Sequence, residues 1–69
     1  MDINVKDIIY YKSPITLESY GIVVNRAREV FSDNREGDIF YFVNDICNPN
    51  KDVEIVYKKD IIAIYKKVD

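Results

Sequence analysis

The chain has 69 residues, and a domain of that size buries only about 60% of the surface its unfolded form exposes, which excludes a second domain, a large cleft or a buried cofactor. Charged residues make up 32%, hydrophobic residues 48% and aromatics 13%, values that exclude a disordered tail and fit a folded globule. The formal charge of -2 and a pI near 5.0 argue against a general polyanion binder and are too small for a mimic of DNA.

β-branched and aromatic residues dominate, and no window keeps the three-and-four apolar spacing of a long helix, so the chain is predicted to be all-β. The first strand is predicted over Val5–Lys12, with Ile8 and Tyr10 on one face and Val5, Ile9 and Tyr11 near the other. Ser13-Pro14 breaks it, because proline removes an amide donor and restricts the residue before it. The following loop is expected to run through Leu17. A long second strand covers Tyr20–Phe31, where Ile22 and Val24 form a buried stripe that leads, unless a bulge intervenes, into Arg26 and Arg28 on the same face. Ser32-Asp33-Asn34-Arg35-Glu36-Gly37 reads as a turn. The third strand is Asp38–Asn44, with Ile39, Tyr41 and Val43 on one face and Phe40 and Phe42 on the other. Asn48-Pro49-Asn50-Lys51 is the next turn. Val53–Lys58 is the fourth strand, with Val53, Ile55 and Tyr57 expected to face inward. Lys58-Lys59-Asp60 is a short connector with the character of one 3-10 turn, and Ile61–Lys66 is the fifth strand.

Five short strands with turn signals between most of them point to a single domain over 1–69: a small five-stranded antiparallel barrel or strongly bent sheet. The ends echo each other, Lys6-Asp7-Ile8-Ile9-Tyr10-Tyr11-Lys12 against Lys59-Asp60-Ile61-Ile62-Ala63-Ile64-Tyr65-Lys66. Pairing of these ends would close the barrel and protect its edges.

Several chemistries lack their residues. There is no histidine, so no imidazole base or ligand. Cys47 is the only cysteine, which rules out an intrachain disulfide and a Cys-rich zinc site. Ser13, Ser19, Ser32 and Thr16 lie in no nucleophile elbow, and Gly21 and Gly37 make no phosphate-cradling loop. No enzymatic activity, metal or cofactor is expected. The N-terminus shows no signal-peptide pattern and no apolar run approaches a membrane span, so with a lone free cysteine a reducing, cytoplasmic setting is expected.

Three phrases resemble the Src-homology-3-like small barrels, above all their Tudor and KOW branches. Val5-Lys6-Asp7-Ile8-Ile9-Tyr10-Tyr11 is similar to the opening strand of that group, with Lys6 where glycine is usual. Tyr20-Gly21-Ile22-Val23-Val24 is similar to its second strand. Val53-Glu54-Ile55-Val56-Tyr57-Lys58-Lys59-Asp60-Ile61-Ile62-Ala63-Ile64 is similar to its ending. The resemblance implies a Src-homology-3-like barrel and, for a Tudor module, an aromatic cage to which Tyr11, Tyr20, Tyr41 and Phe42 would supply rings. The sequence departs from both branches: Ser13-Pro14-Ile15-Thr16 lacks the glycine and basic residues of a KOW loop, and Asn44-Asp45-Ile46 stands where the Tudor turn would be. The composition, rich in Ile, Asn, Lys, Asp and Tyr, also resembles that of small accessory or inhibitor proteins from AT-rich bacterial and bacteriophage genomes.

Two groups are candidates for binding. Tyr10 or Tyr11 with Tyr20, Tyr41 and Phe42 would form an exposed aromatic cluster, against the alternative that the rings fill a small core. Arg26, Arg28 and Arg35 would contact an anion, phosphate or acidic protein surface, against the alternative of a solvated hairpin balanced by Glu29, Asp33 and Glu36. Lys58, Lys59, Lys66 and Lys67 read as solvating or edge-protecting charges. The carboxylates Asp7, Asp38, Asp45 and Asp60 read as turn or strand-start residues, and Cys47 as an ordinary thiol. The leading expectation is a non-enzymatic module that binds another protein through exposed aromatics and arginines, by occlusion or tethering. Its site residues are Tyr11, Tyr20, Arg26, Arg28, Arg35, Tyr41 and Phe42. The alternatives are a nucleic-acid-binding small barrel that stacks bases on tyrosine, and a small homo-oligomer that scaffolds through strand three.

Overall fold

The computed structural model describes residues 2–13 and 17–66. Its elements are β1 (Ile8–Ser13), β2 (Leu17–Val30), β3 (Glu36–Asp45), β4 (Glu54–Tyr57), a 3-10 turn η1 (Lys58–Asp60) and β5 (Ile61–Tyr65). They form one antiparallel sheet in the order β4-β3-β2-β1-β5. The all-β expectation holds, as does the 3-10 connector. The echoing ends do pair, with Ile8 opposite Tyr65, Ile9 opposite Ile64 and Tyr10 opposite Ala63. No ladder joins β4 to β5 among the described residues, so these two strands are the edges of an open sheet. Pro14, Ile15, Thr16 and Lys67, on which parts of the loop and lysine readings fall, lie outside the described residues. Leu17, expected in the loop, begins β2.

The sheet is strongly curled. In a flat sheet β1 and β4, three positions apart, would be separated by roughly 14 Å. Here the Ser13 hydroxyl on β1 donates to Glu54 Oε1 on β4 at 2.5 Å, and the Tyr11 hydroxyl donates to Glu54 Oε2 at 3.1 Å. The concave face holds the core: Ile3, Ile9, Tyr11, Val23, Tyr41, Val43 and Val56, with Ile39, Ile61 and Ile64 packed against it. Ile9 and Tyr11 face inward as expected, and so do Ile39, Tyr41 and Val43. Val5, however, is exposed.

Two predicted faces are reversed. On β2 the buried positions are Ser19, Gly21 and Val23, while Ile22 and Val24 are exposed. Gly21 fits there because it has no side chain: a Cβ would lie 2.2 Å from Val43 Cγ1 and 2.9 Å from the Asn44 carbonyl oxygen. On β4 the inward residues are Glu54 and Val56, whereas Val53 and Ile55 are exposed, Ile55 by 52%, and Tyr57 is half-buried. Apolar alternation mis-set both strands because their inward positions carry glycine, serine and a carboxylate.

A bulge decides where the arginines go. The β2–β3 register runs Val23 opposite Val43, then Asn25 opposite Phe42 and Arg26 opposite Tyr41. The extra residue reverses the parity of the strand beyond it. Arg26 and Arg28 therefore continue the inward face of Val23, and Asn25 and Ala27 share the outward face with Phe42 and Phe40. The buried stripe does lead into two arginines, but it is the stripe of Val23. No helix among the described residues is long and apolar enough to cross a membrane.

Candidate functional site

Antiparallel pairing lays side chains of β5, β1 and β2 in rows across the convex face. Tyr65, Ile8 and Ile22 form one row and Ala63, Tyr10 and Tyr20 the next. The Tyr20 ring meets both other tyrosine rings, with centroids 4.7 Å apart for Tyr10–Tyr20 and 6.0 Å apart for Tyr20–Tyr65, both tilted. Such contacts stabilise an aromatic cluster beyond simple area burial. The cluster is open to solvent: Tyr20 is 42% and Tyr65 48% exposed, and Ile8 and Ile22 beside them are exposed as well. Next to it lies an open groove of about 610 Å³ lined by Tyr10, Leu17, Tyr20 and Cys47.

The hydroxyls are held by acceptors on the same face. The Tyr10 hydroxyl donates to Glu18, and that hydrogen bond, first among its causes, pushes the phenol up to about 12. A hydrogen bond with Tyr65 raises Tyr20. Tyr10 and Tyr20 therefore stay neutral near pH 7, presenting apolar ring bodies with polar tips.

The expected site residues separate into three places. Tyr20 alone among them lies in this cluster. Tyr11 and Tyr41 are core residues, 0% and 4% exposed, which corrects their expected place on a binding surface. Burial, then the charge of Glu54, raises the Tyr11 phenol. Phe42 is half-buried in a second group on the convex face, where its ring meets Phe40 edge-on at 5.5 Å and Phe40 lies 5.8 Å from Tyr57. An aromatic cage of Tyr11, Tyr20, Tyr41 and Phe42 is thus not assembled.

The arginines lie away from the tyrosines. Arg26 and Arg28 are six and eight residues beyond Tyr20, roughly 20 Å along the strand, and project to the opposite face. Arg28 donates to the Gly37 carbonyl at 3.3 Å and lies 3.9 Å from Glu36. Arg35 is occupied within its own turn, where its Nε donates to Asp33 at 2.6 Å and its guanidinium lies 5.0 Å from the Phe31 ring centroid.

Sequence reasoning overlooked Tyr65, and it also overlooked a buried polar cluster at one end of the concave face. Asp45 accepts from the Ser19 hydroxyl at 2.6 Å, from the Cys47 amide at 2.9 Å and from Asn48 Nδ2 at 3.1 Å. Glu54 accepts from Tyr11, Ser13 and Lys51. Lys51 stands between the carboxylates, 3.0 Å from Glu54 and 3.6 Å from Asp45. Burial works to raise both carboxyls. It is outweighed at Asp45 by Ser19, Asn48, the Cys47 amide and Lys51, and at Glu54 by Ser13, Lys51 and Tyr11, so both stay below the usual carboxylate range. Fully satisfied polar groups of this kind fix geometry, and the cluster stitches β1, β2, β3 and β4 together.

Comparison of the chain with protein families, curated proteins and solved structures finds no match.

Proposed function

We propose that the protein is a non-enzymatic interaction module that docks another protein on its convex tyrosine face. The observation that carries this reading is the cluster of exposed Tyr20 and Tyr65 with half-buried Tyr10, flanked by exposed Ile8 and Ile22. Tyrosine beside aliphatic side chains is the composition of protein-binding surfaces, and a contiguous apolar patch on so small a domain marks a contact site. The partner's apolar side chains would lie over the rings, and its polar groups would meet the hydroxyls. The separation of the tyrosines from Arg26 and Arg28, together with the acidic pI, weighs against nucleic acid as the occupant.

We also propose that the curled sheet is an open form of the Src-homology-3-like barrel. The strand order, the 3-10 turn between the two edge strands and the hydrogen bonds from β1 to β4 support this. So does Lys6, which occupies the position where that group carries glycine and has φ 80°.

The test is affinity capture from the native cell lysate with the wild-type chain and with Tyr20→Glu. Circular dichroism and thermal melting verify that both are folded. Stoichiometric capture of one protein by the wild type, lost in Tyr20→Glu, is expected. Equal capture by both forms, or no stoichiometric protein at several salt concentrations, rejects the reading. Light scattering across concentration separates docking from self-association.

A further inference from the structure

The β3–β4 ladder ends where Phe40 pairs with Tyr57, and the chain then leaves the sheet through η1. β3 continues beyond that point through Gly37–Ile39. The step between them encloses a cleft of about 280 Å³, with Ile39 and Tyr57 among its apolar lining and Arg28, Lys58 and Lys59 around it. Three cations face one lining carboxylate, Asp38. Among the described residues neither Lys58 nor Lys59 forms an ion pair, and Arg28 has its hydrogen bond to the Gly37 carbonyl and the 3.9 Å contact with the exposed Glu36. Lys59 rests 5.8 Å from the Tyr57 ring centroid. The Tyr57 hydroxyl donates to Glu29 Oε1 at 2.7 Å, so carboxylates stand at this rim too, and the two lysines left without an ion partner are what raises the local concentration of anions.

We infer that this cleft binds a carboxylate side chain of an acidic peptide segment, with Arg28 as the planar, bidentate partner and Lys58 and Lys59 as flanking charges. The fork of a guanidinium matches a carboxylate, and ammonium groups add attraction without demanding one geometry. The volume lies at the small end of ligand pockets, which suits a side chain and excludes a whole cofactor. The surroundings favour a peptide over nucleic acid. The cations form one local spot of three residues, with no basic stripe along which a phosphate backbone could run, and the chain carries a net charge of -2. The cleft is separate from the tyrosine face and stands or falls independently of it.

The test is an NMR titration of the full chain with a short capped oligoglutamate peptide. Its oligoglutamine counterpart and a short oligothymidylate are run at the same ionic strength. The glutamate peptide is expected to shift the amide signals of Gly37–Ile39 and Tyr57–Lys59. The double variant Lys58→Gln/Lys59→Gln should weaken binding at least about twofold, the effect of two exposed ion pairs, and Arg28→Gln should weaken it further. Lys12→Gln should leave it unchanged. The cationic side chains are exposed, so these variants keep the fold, which the unperturbed remainder of the spectrum verifies. Equal binding of the glutamine peptide, tighter binding of the oligothymidylate, unchanged affinity in the double variant, or shifts confined to other parts of the sheet would each overturn the inference.

Discussion

β2 is one strand with two different lives. Its first half, from Leu17 to Val23, lies between β1 and β3 and buries Ser19, Gly21 and Val23. The lateral ties end where the Lys6 amide donates to the Val23 carbonyl at 2.7 Å and the Val23 amide donates to the Asp7 carbonyl at 2.9 Å. Beyond the bulge, from Asn25 to Val30, β2 pairs with β3 alone and no residue is buried. The outward-pointing Arg26 amide is satisfied by the Asn25 side chain at 2.8 Å, which blunts an otherwise open edge. The comparison teaches that stability is concentrated at the end of the sheet bearing Asp45 and Glu54, while the hairpin arm is a ribbon whose side chains are free for other uses.

Removing a carboxylate from each half should break that symmetry most visibly. Glu54→Ala strips the acceptor from Tyr11 and Ser13 and leaves Lys51 with Asp45 alone, a change expected to cost about 3 kcal/mol or more. A chain of this length has roughly 3–10 kcal/mol in total, so the variant should lose about a third of its stability or more and its urea midpoint should fall accordingly. Glu36→Ala on the arm should leave the denaturation midpoint unchanged within error. Comparable losses in the two variants would show that the polar cluster does not hold the curled sheet together.

Acidification probes the same contrast without mutation. Asp45 and Glu54 have ordinary values of 3.8 and 4.5 and are both held lower in the fold. A depressed carboxyl contributes stability that is complete above its unfolded value and disappears as pH falls through its folded value. Urea midpoints should therefore be flat above about pH 5 and decline steadily below about pH 4. Asp7, lowered chiefly by the hydrogen bond from Lys66, adds to the same decline. A stability that rises between pH 5 and pH 3 would contradict the assignment.

Packing gives an intermediate effect. Gly21→Ala places a methyl group against Val43 and the Asn44 carbonyl, where the backbone has little room to yield, and should cost about 1–3 kcal/mol. Gly37, on the arm, would bring its Cβ within 2.8 Å of the Glu29 side chain. Glu29 lies in the singly paired half of β2, so Gly37→Ala should cost less. Thermal melts of the two variants rank them directly, and the reverse order would place the rigid region in the hairpin.

How much of this was legible from residues alone follows the same division. The five strands, the 3-10 turn and the pairing of the chain ends follow from β-branched runs, turn residues and the echo of Lys6–Lys12 in Lys59–Lys66. Strand faces were legible where apolar alternation is clean, as in Ile39-Phe40-Tyr41-Phe42-Val43. They were misjudged where polar groups point inward. Glu54 sits between Val53 and Ile55, and alternation alone sends it to solvent. Only the hydroxyls of Tyr11 and Ser13, over forty residues away, make its burial tolerable. The tyrosine face was half legible: Tyr20 was identified, but Tyr10 and Tyr11 are neighbours on one strand, and which of them lies on the outer face depends on a register that no local pattern contains. Tyr65 joined them only through the β1–β5 ladder. Lys58 and Lys59 read as edge charges because the step that gathers them with Arg28 arises from the unequal lengths of β3 and β4.

The smallest expected effect is a gain. Lys6 has φ 80°, in the left-handed region, where a side chain costs roughly 1 kcal/mol. Its conformation is imposed by the tie to the Val23 carbonyl, at the border between the two halves of β2. Lys6→Gly removes the strain and keeps the amide donor, but it also frees the unfolded chain, so the net stabilisation should be about 0.5 kcal/mol. Lys6→Ala loses the same charge without relieving the backbone and should give no gain. If both variants are stabilised equally in urea denaturation, the benefit comes from removing a charge and the strained tie plays no part. If glycine alone helps, amide exchange should slow at Val23 and remain fast from Arg26 to Val30, because the tie reinforces only the half of β2 that is held on both sides.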